Sequence, residues 1–310
     1  MAKTFQKDIV THQLTLTIAN IASVVCWVVC YLLHPVADLP ETIGAFALYA
    51  LIGYLLIIIN KSFAIIRLRA SFQTVIFLIL VAICPAIHTL NEGIFMTLCC
   101  LGSIFITYSS YHIRWSAALL FHAFMIWSIG GLFVPKIVWL IPYIWYSCYV
   151  FRSLNLRSFV ASIFGWSIPA IIYVAYDFLN NGGMGVQDKV IEMISFEDIT
   201  SADIQWPTII TLLFLFIIYT TSVAHYLLYS MDEKVQTRCY LQHLTISVAL
   251  LFVLAFTNLS SCWLYAPLIL VGIALLYGHF STLTNSKWSN IFFIGSLICS
   301  VPVFVINLIY

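Results

Sequence analysis

Charge is what this sequence has least of. Of its 310 residues, 13 are Lys or Arg and 12 are Asp or Glu, together 8%, and the formal net charge is +1. So sparse and balanced a set excludes an electrostatic nucleic-acid binder, and no basic run is interleaved with aromatics. The nine cysteines include no CxxC pair and lie mostly inside apolar runs. They read as small buried hydrophobes, without a disulfide framework. No GxxxxGK[ST], HExxH, GxSxG or strand-to-helix GxGxxG motif occurs, which sets aside ATPase, zincin and serine-hydrolase chemistry. No internal repeat is visible, which weakens a transporter built from duplicated halves. No metal site is assigned, and the sequence leaves any cofactor unknown.

What is present is hydrophobic length. Apolar residues make up 63% of the chain, enough to leave a soluble domain with a greasy surface, whereas a bilayer is the matching solvent. The expected fold is all-α, a polytopic transmembrane bundle of about 11 spans in a single integral domain. The spans fall at about 14–33, 43–60, 72–90, 94–108, 115–133, 136–151, 158–178, 206–229, 240–258, 263–279 and 290–309, with a polar outer loop over 179–205. The first run is too long for the core of a cleaved signal peptide and lacks a small-residue cleavage site, so it is expected to remain as a span. Lys61 to Ser71 alternates cationic and apolar residues, as an interfacial helix with snorkelling Arg67 and Arg69 would. Ile191 to Phe196 is expected to form one amphipathic turn within the outer loop. The run 136–151 concentrates aromatics around Pro142 and stops at Phe151-Arg-Ser-Leu-Asn-Leu-Arg157.

That basic break orients the chain, because Lys and Arg collect on the cytoplasmic face of membrane proteins. With the amino terminus inside, Lys3, Lys7, Lys61, Arg67, Arg69, Arg114, Arg152, Arg157, Lys234, Arg238 and Lys287 lie inside, and Lys136 and Lys189 outside. Nine of the twelve acids fall outside; Asp8, Asp232 and Glu233 do not. The expected location is a bacterial inner membrane, amino terminus cytoplasmic and carboxyl terminus periplasmic, with the bilayer as the first partner.

Polar groups at apolar depth mark candidate sites, because burying them there is costly without a partner or water. His122 lies near the middle of its run, either hydrogen-bonded to a neighbouring helix or serving as a metal or proton-relay group. His88 sits near the outer end of its run and His225 near the inner end. On the outer face, Asp38, Glu41, His88 and Asp177, together with His34, form the candidate catalytic set: carboxylates and histidines that converge there would bind a divalent cation or act as a general base. Asp177 abuts a run bent by Gly165 and Pro169. On the inner rim, Arg67, Arg69, Arg152 and Arg157 are candidates for phosphate or lipid head groups, since guanidinium forks bind phosphate bidentately. Lipid contact and the topology signal alone also account for them.

Phe151-Arg-Ser-Leu-Asn-Leu-Arg-Ser-Phe159, then Gly165 and Pro169, a hydrophilic outer loop and a four-helix carboxyl-terminal part resemble an uncharacterised family of bacterial multi-pass inner-membrane proteins, a domain of unknown function. That resemblance implies no activity. The chain is also distantly similar to polyprenyl-phosphate-sugar glycosyltransferases, which carry acids in the first outer loop, where Asp38 and Glu41 stand here; their paired-acid motif is missing. These features favour envelope biogenesis with a lipid-linked sugar as substrate. The alternatives are a non-enzymatic scaffold that binds other membrane subunits, a transporter, and a histidine-dependent oxygenase of the carotene-cleaving type. The last is disfavoured, because its His-Gly and Asp-x-x-His elements are absent and the histidines divide between the two faces.

Overall fold

The computed structural model describes residues 5–12, 14–33, 38–66, 71–196, 205–284 and 286–309. Among them the chain is all-helical, without strands. In order the helices are α1 (Phe5–Thr11), α2 (Thr15–Leu33), α3 (Leu39–Phe63), α4 (Phe72–Ala82), α5 (Glu92–Ser109), α6 (Ala117–Phe133), α7 (Ile141–Val150), α8 (Leu156–Asn181), α9 (Met184–Ile194), α10 (Trp206–Tyr229), α11 (Val235–Phe256), α12 (Cys262–Leu283) and α13 (Lys287–Ile309). Eight of these, α2, α3, α5, α8 and α10 to α13, are long and apolar enough to cross a membrane.

The other three expected spans are shorter helices: α4 with 11 residues, α6 with 17 and α7 with 10. Proline explains two of them. Pro85 has no N–H and pushes the preceding residue out of the α region, and Cys84 accordingly lies at φ −115°, ψ 77°, so α4 stops at Ala82 and a 3₁₀ turn follows over Pro85–Ile87. Pro135 opens a second 3₁₀ stretch, Pro135–Leu140, and Pro142 in the first turn of α7 restarts a regular helix where no N–H is needed.

Two other expectations differ. Residues 61–63 complete α3 rather than starting an interfacial helix, because Asn60 accepts from the Ile66 N–H at 2.7 Å and buries a tight turn there; 67–70, with Arg67 and Arg69, lie outside the described residues. The described part of the outer loop is largely helical, since α8 runs on to Asn181 and α9 makes three turns; 197–204 lie outside the described residues.

The chain divides into two compact units, Met1–Asn91 with Asp203–Val248 and Ile269–Tyr310, and Glu92–Ala202 with Ala249–Leu268. In the first, α4 is the axial element, with every residue but Ile79 buried. Thr74 donates to the Gly53 carbonyl at 2.8 Å and Gln73 to that of Leu56 at 3.2 Å, binding α4 to α3. In the second, glycines let backbones meet. A Cβ on Gly165 would fall 2.2 Å from the Phe121 carbonyl oxygen, and one on Gly93 2.3 Å from that of Leu264, so α8 lies directly on α6 and α5 on α12. The basic break of this unit is a tied corner. Asn155 and Ser158 form a capping box that starts α8, while Asn155 also donates to the Arg114 carbonyl at 2.9 Å and the His112 N–H to that of Phe151 at 3.0 Å.

Candidate functional site

One group of polar side chains in the first unit gathers at the far end of α10. Ser230–Asp232 forms a single 3₁₀ turn that ends this helix, and Glu233 follows in extended backbone. The turn reverses the chain, so that the Glu233 side chain, only 8% exposed, comes back toward α12 and stands 3.6 Å from Nε2 of His279. This is ion-pairing range for a protonated imidazole, longer than a hydrogen bond. One turn before the end of α10, His225 is 8% exposed, its ring 6.2 Å from that of His279 and 5.3 Å from that of Phe280. Its Nδ1 is buried and has no hydrogen-bond partner among the described residues.

These groups line a cavity of about 700 Å³. Its remaining wall combines hydroxyls, rings and aliphatic carbons, including Thr284, Ser289, Tyr229, Trp288 and Phe292. The hydroxyl wall is held from behind. Gln6 of α1, 1% exposed, donates from its side-chain amide to the Ser281 carbonyl at 2.7 Å and to Thr284 Oγ1 at 3.1 Å, and accepts from Ser289 Oγ at 2.8 Å. Ser286 caps α13 by accepting from the Ser289 N–H at 3.0 Å, which fixes Trp288 in the first turn. The cavity is thus amphipathic: two carboxylates (Asp232 and Glu233), two imidazoles and hydroxyls on one part, aromatic and aliphatic surface on the rest. It suits a ligand with a hydrogen-bonding head and an apolar tail. It is also the setting in which a carboxylate orients a histidine as a base. Among the described residues no group of three or more His, Cys, Asp or Glu could hold a metal ion.

The residues singled out in the sequence fall elsewhere. Asp38 and Glu41 are exposed at the start of α3, and Asp38 makes no side-chain cap bond. His88 is buried with its ring stacked on Trp27, centroids 3.8 Å apart and planes 15° from parallel, and its Nε2 lies 3.1 Å from the Val81 carbonyl. Asp177 is 2% exposed and engaged on both oxygens, by the Asn181 amide at 2.9 Å and the Val186 N–H at 2.8 Å. It therefore acts as the cap of α9. His122 is exposed on α6, against the adjacent Phe121 ring. His34 lies outside the described residues. Arg152 and Arg157 are exposed, Arg152 in the left-handed region at φ 56° and Arg157 5.8 Å over the Trp115 ring.

Sequence reading passed over Glu233 and His279. They are 46 positions apart (279 − 233), Glu233 between helices and His279 on α12, so no local motif joins them. Depth would have found them: His225, Glu233 and His279 all fall at the same boundary in the charge frame, each at or just beyond the end of an apolar run. Comparison of the chain with protein-family models, curated proteins and solved structures found no match.

Proposed function

We propose that the chain is a multi-pass protein of a bacterial inner membrane that serves envelope biogenesis by holding the head of a lipid-linked sugar in the His225–Glu233–His279 cavity. Aromatic rings and carboxylates are suited to the apolar face and the hydroxyls of a sugar, and Leu228, Leu283, Phe280 and Phe292 offer apolar surface to the start of an isoprenoid chain. The observation that carries this reading is the Glu233–His279 pair, 3.6 Å apart and withdrawn from solvent beside a cavity large enough for such a head. In an enzymatic version the pair is the base that activates an acceptor hydroxyl.

The membrane frame supports it. With α4, α6 and α7 joining the eight longer helices, there are eleven crossings and the termini lie on opposite sides. The 17 residues of α6 rise about 25 Å, and the 3₁₀ stretches before α7 and after α4 extend those shorter helices. The positive-inside rule then puts the cavity at the cytoplasmic boundary of the bilayer, within reach of a lipid head group.

The test is lipid mass spectrometry on protein purified from its native membrane. Wild type is expected to retain an isoprenoid-linked species and Glu233→Gln to lose it about tenfold, about 1.4 kcal/mol. Wild type without any such species defeats the proposal. A second reading, an assembly subunit, is favoured by one observation: His122 is a polar side chain left exposed on an apolar helix, a place where a partner helix would supply a hydrogen bond.

A further inference from the structure

Helix α9 carries an apolar stripe that stands exposed among the described residues. Met184, Val190, Ile191 and Ile194 are 72, 46, 55 and 59% exposed, while Gly185, Val186, Lys189, Glu192 and Met193 on the opposite arc are half-covered. The helix is nevertheless fixed at both ends. Gly182 and Gly183, at φ 63° and 89°, turn the chain out of α8 through a conformation open to glycine. The buried Asp177 carboxylate accepts from the Val186 N–H in the first turn of α9, and Trp139 Nε1 donates to the Met193 carbonyl at 3.1 Å in its last turn.

We infer that α9 lies in the membrane plane, seated by its Met184–Val190–Ile191–Ile194 stripe at the boundary between lipid head groups and acyl chains. Three observations select a lipid surface over another protein. The stripe continues the exposed apolar surface of the preceding 26-residue helix, whose last turn shows Phe178 and Leu179 at 61 and 87% exposure. A two-glycine corner leaves no linker by which α9 could move away from the end of that span. Gln187 and Asp188 share the exposed arc, a mixture suited to the head-group level and poor for a dry protein interface. The charges of α9, Asp188, Lys189 and Glu192, sum to −1, so the seat needs no anionic lipid. The Asp177 clamp is then the device that sets the angle between span and surface helix.

The full chain in nanodiscs tests this, with a genetically encoded fluorescent amino acid placed singly at Ile191, Ile194 or Glu192. Shallow nitroxide-labelled phosphatidylcholine is expected to quench the probes at 191 and 194 at least twofold more than the probe at 192, with aqueous iodide giving the reverse order. The pattern is expected to persist without anionic lipid. Iodide access at 191 as high as that of the free fluorophore would place the stripe in water, and protection of 191 from both quenchers would place protein on it; either result overturns the inference. Use of two probe positions in the stripe guards against a substitution that disturbs the helix. The outcome does not depend on what the cavity of the first unit binds.

Discussion

Asp177 and Glu233 are both carboxylates drawn out of water, one in each compact unit, and their surroundings divide their roles. Asp177 has an amide on each oxygen and a glycine against it: a Cβ on Gly185 would sit 2.7 Å from Oδ1. No room remains for a ligand. Glu233 faces a histidine at 3.6 Å with a cavity beside it. The same contrast holds more widely. In the second unit buried polar groups find direct partners that tie distant segments together: Ser116 donates to the Ser153 carbonyl at 2.5 Å, and buried Lys136 donates to Asn258. In the first unit a subset lines open volume. A carboxylate with its oxygens engaged by backbone and amide donors stabilises the fold, and one paired with a titratable group beside a cavity adds a polar patch to that cavity's wall.

The contrast can be broken most violently through packing. Gly165→Val in the second unit pushes a side chain into the Phe121 carbonyl oxygen, which a bare Cβ would already approach to 2.2 Å. Helices α6 and α8 must separate, and a loss of about 3 kcal/mol in detergent-micelle unfolding is expected. A change below about 1 kcal/mol would mean that the close approach is not a determinant of this unit.

Asp177→Asn is nearly isosteric but turns an amide N–H₂ toward donors that need an acceptor. About 2 kcal/mol of stability should go, with faster amide exchange over Met184 to Ile194, because a charge-assisted bond to the α9 terminus is lost. Glu233→Gln should leave thermal stability within about 0.5 kcal/mol of wild type. Its effect is expected in retention of the lipid-linked species, about tenfold. If the melting temperature falls as far for Glu233→Gln as for Asp177→Asn, the distinction between a capping and a binding carboxylate is lost.

Much of the helix pattern was legible in the sequence, because hydropathy reports burial in lipid or protein and each long apolar run contains a helix. Its limits are physical. Hydropathy does not register a missing N–H, so 72–90 read as one span although Pro85 ends α4 at Ala82, and 179–205 read as loop because polarity masked the capping of α9. At the site level, titratable residues beside a bent helix attracted attention to Asp177, while the residue that fixes the meaning of a carboxylate is its neighbour across the fold. His279 supplies that neighbour for Glu233 from a distant part of the chain, whereas the Asn181 and Val186 donors of Asp177 lie only four and nine positions on and were hidden by the polarity of the segment. His88 shows the same limit, since the stack on Trp27 comes from α2, about 60 positions earlier.

The smallest effect is expected at His122, and it separates the two functional readings. The side chain is exposed on α6, five residues or about 7.5 Å from the start of that helix, and has no role in packing the unit internally. Replacing an exposed polar group at this depth with leucine favours lipid contact, so His122→Leu should be neutral to slightly stabilising, within about 0.5 kcal/mol, in the isolated chain. A lone chain in the membrane would then keep its full complement of bound lipid. If instead a membrane protein that copurifies with wild type disappears from His122→Leu while the isolated chain is as stable as before, the exposed imidazole is the contact to a partner helix and the assembly-subunit reading prevails. The same preparation scored for lipid-linked sugar decides whether the cavity of the first unit works alone or only within that assembly.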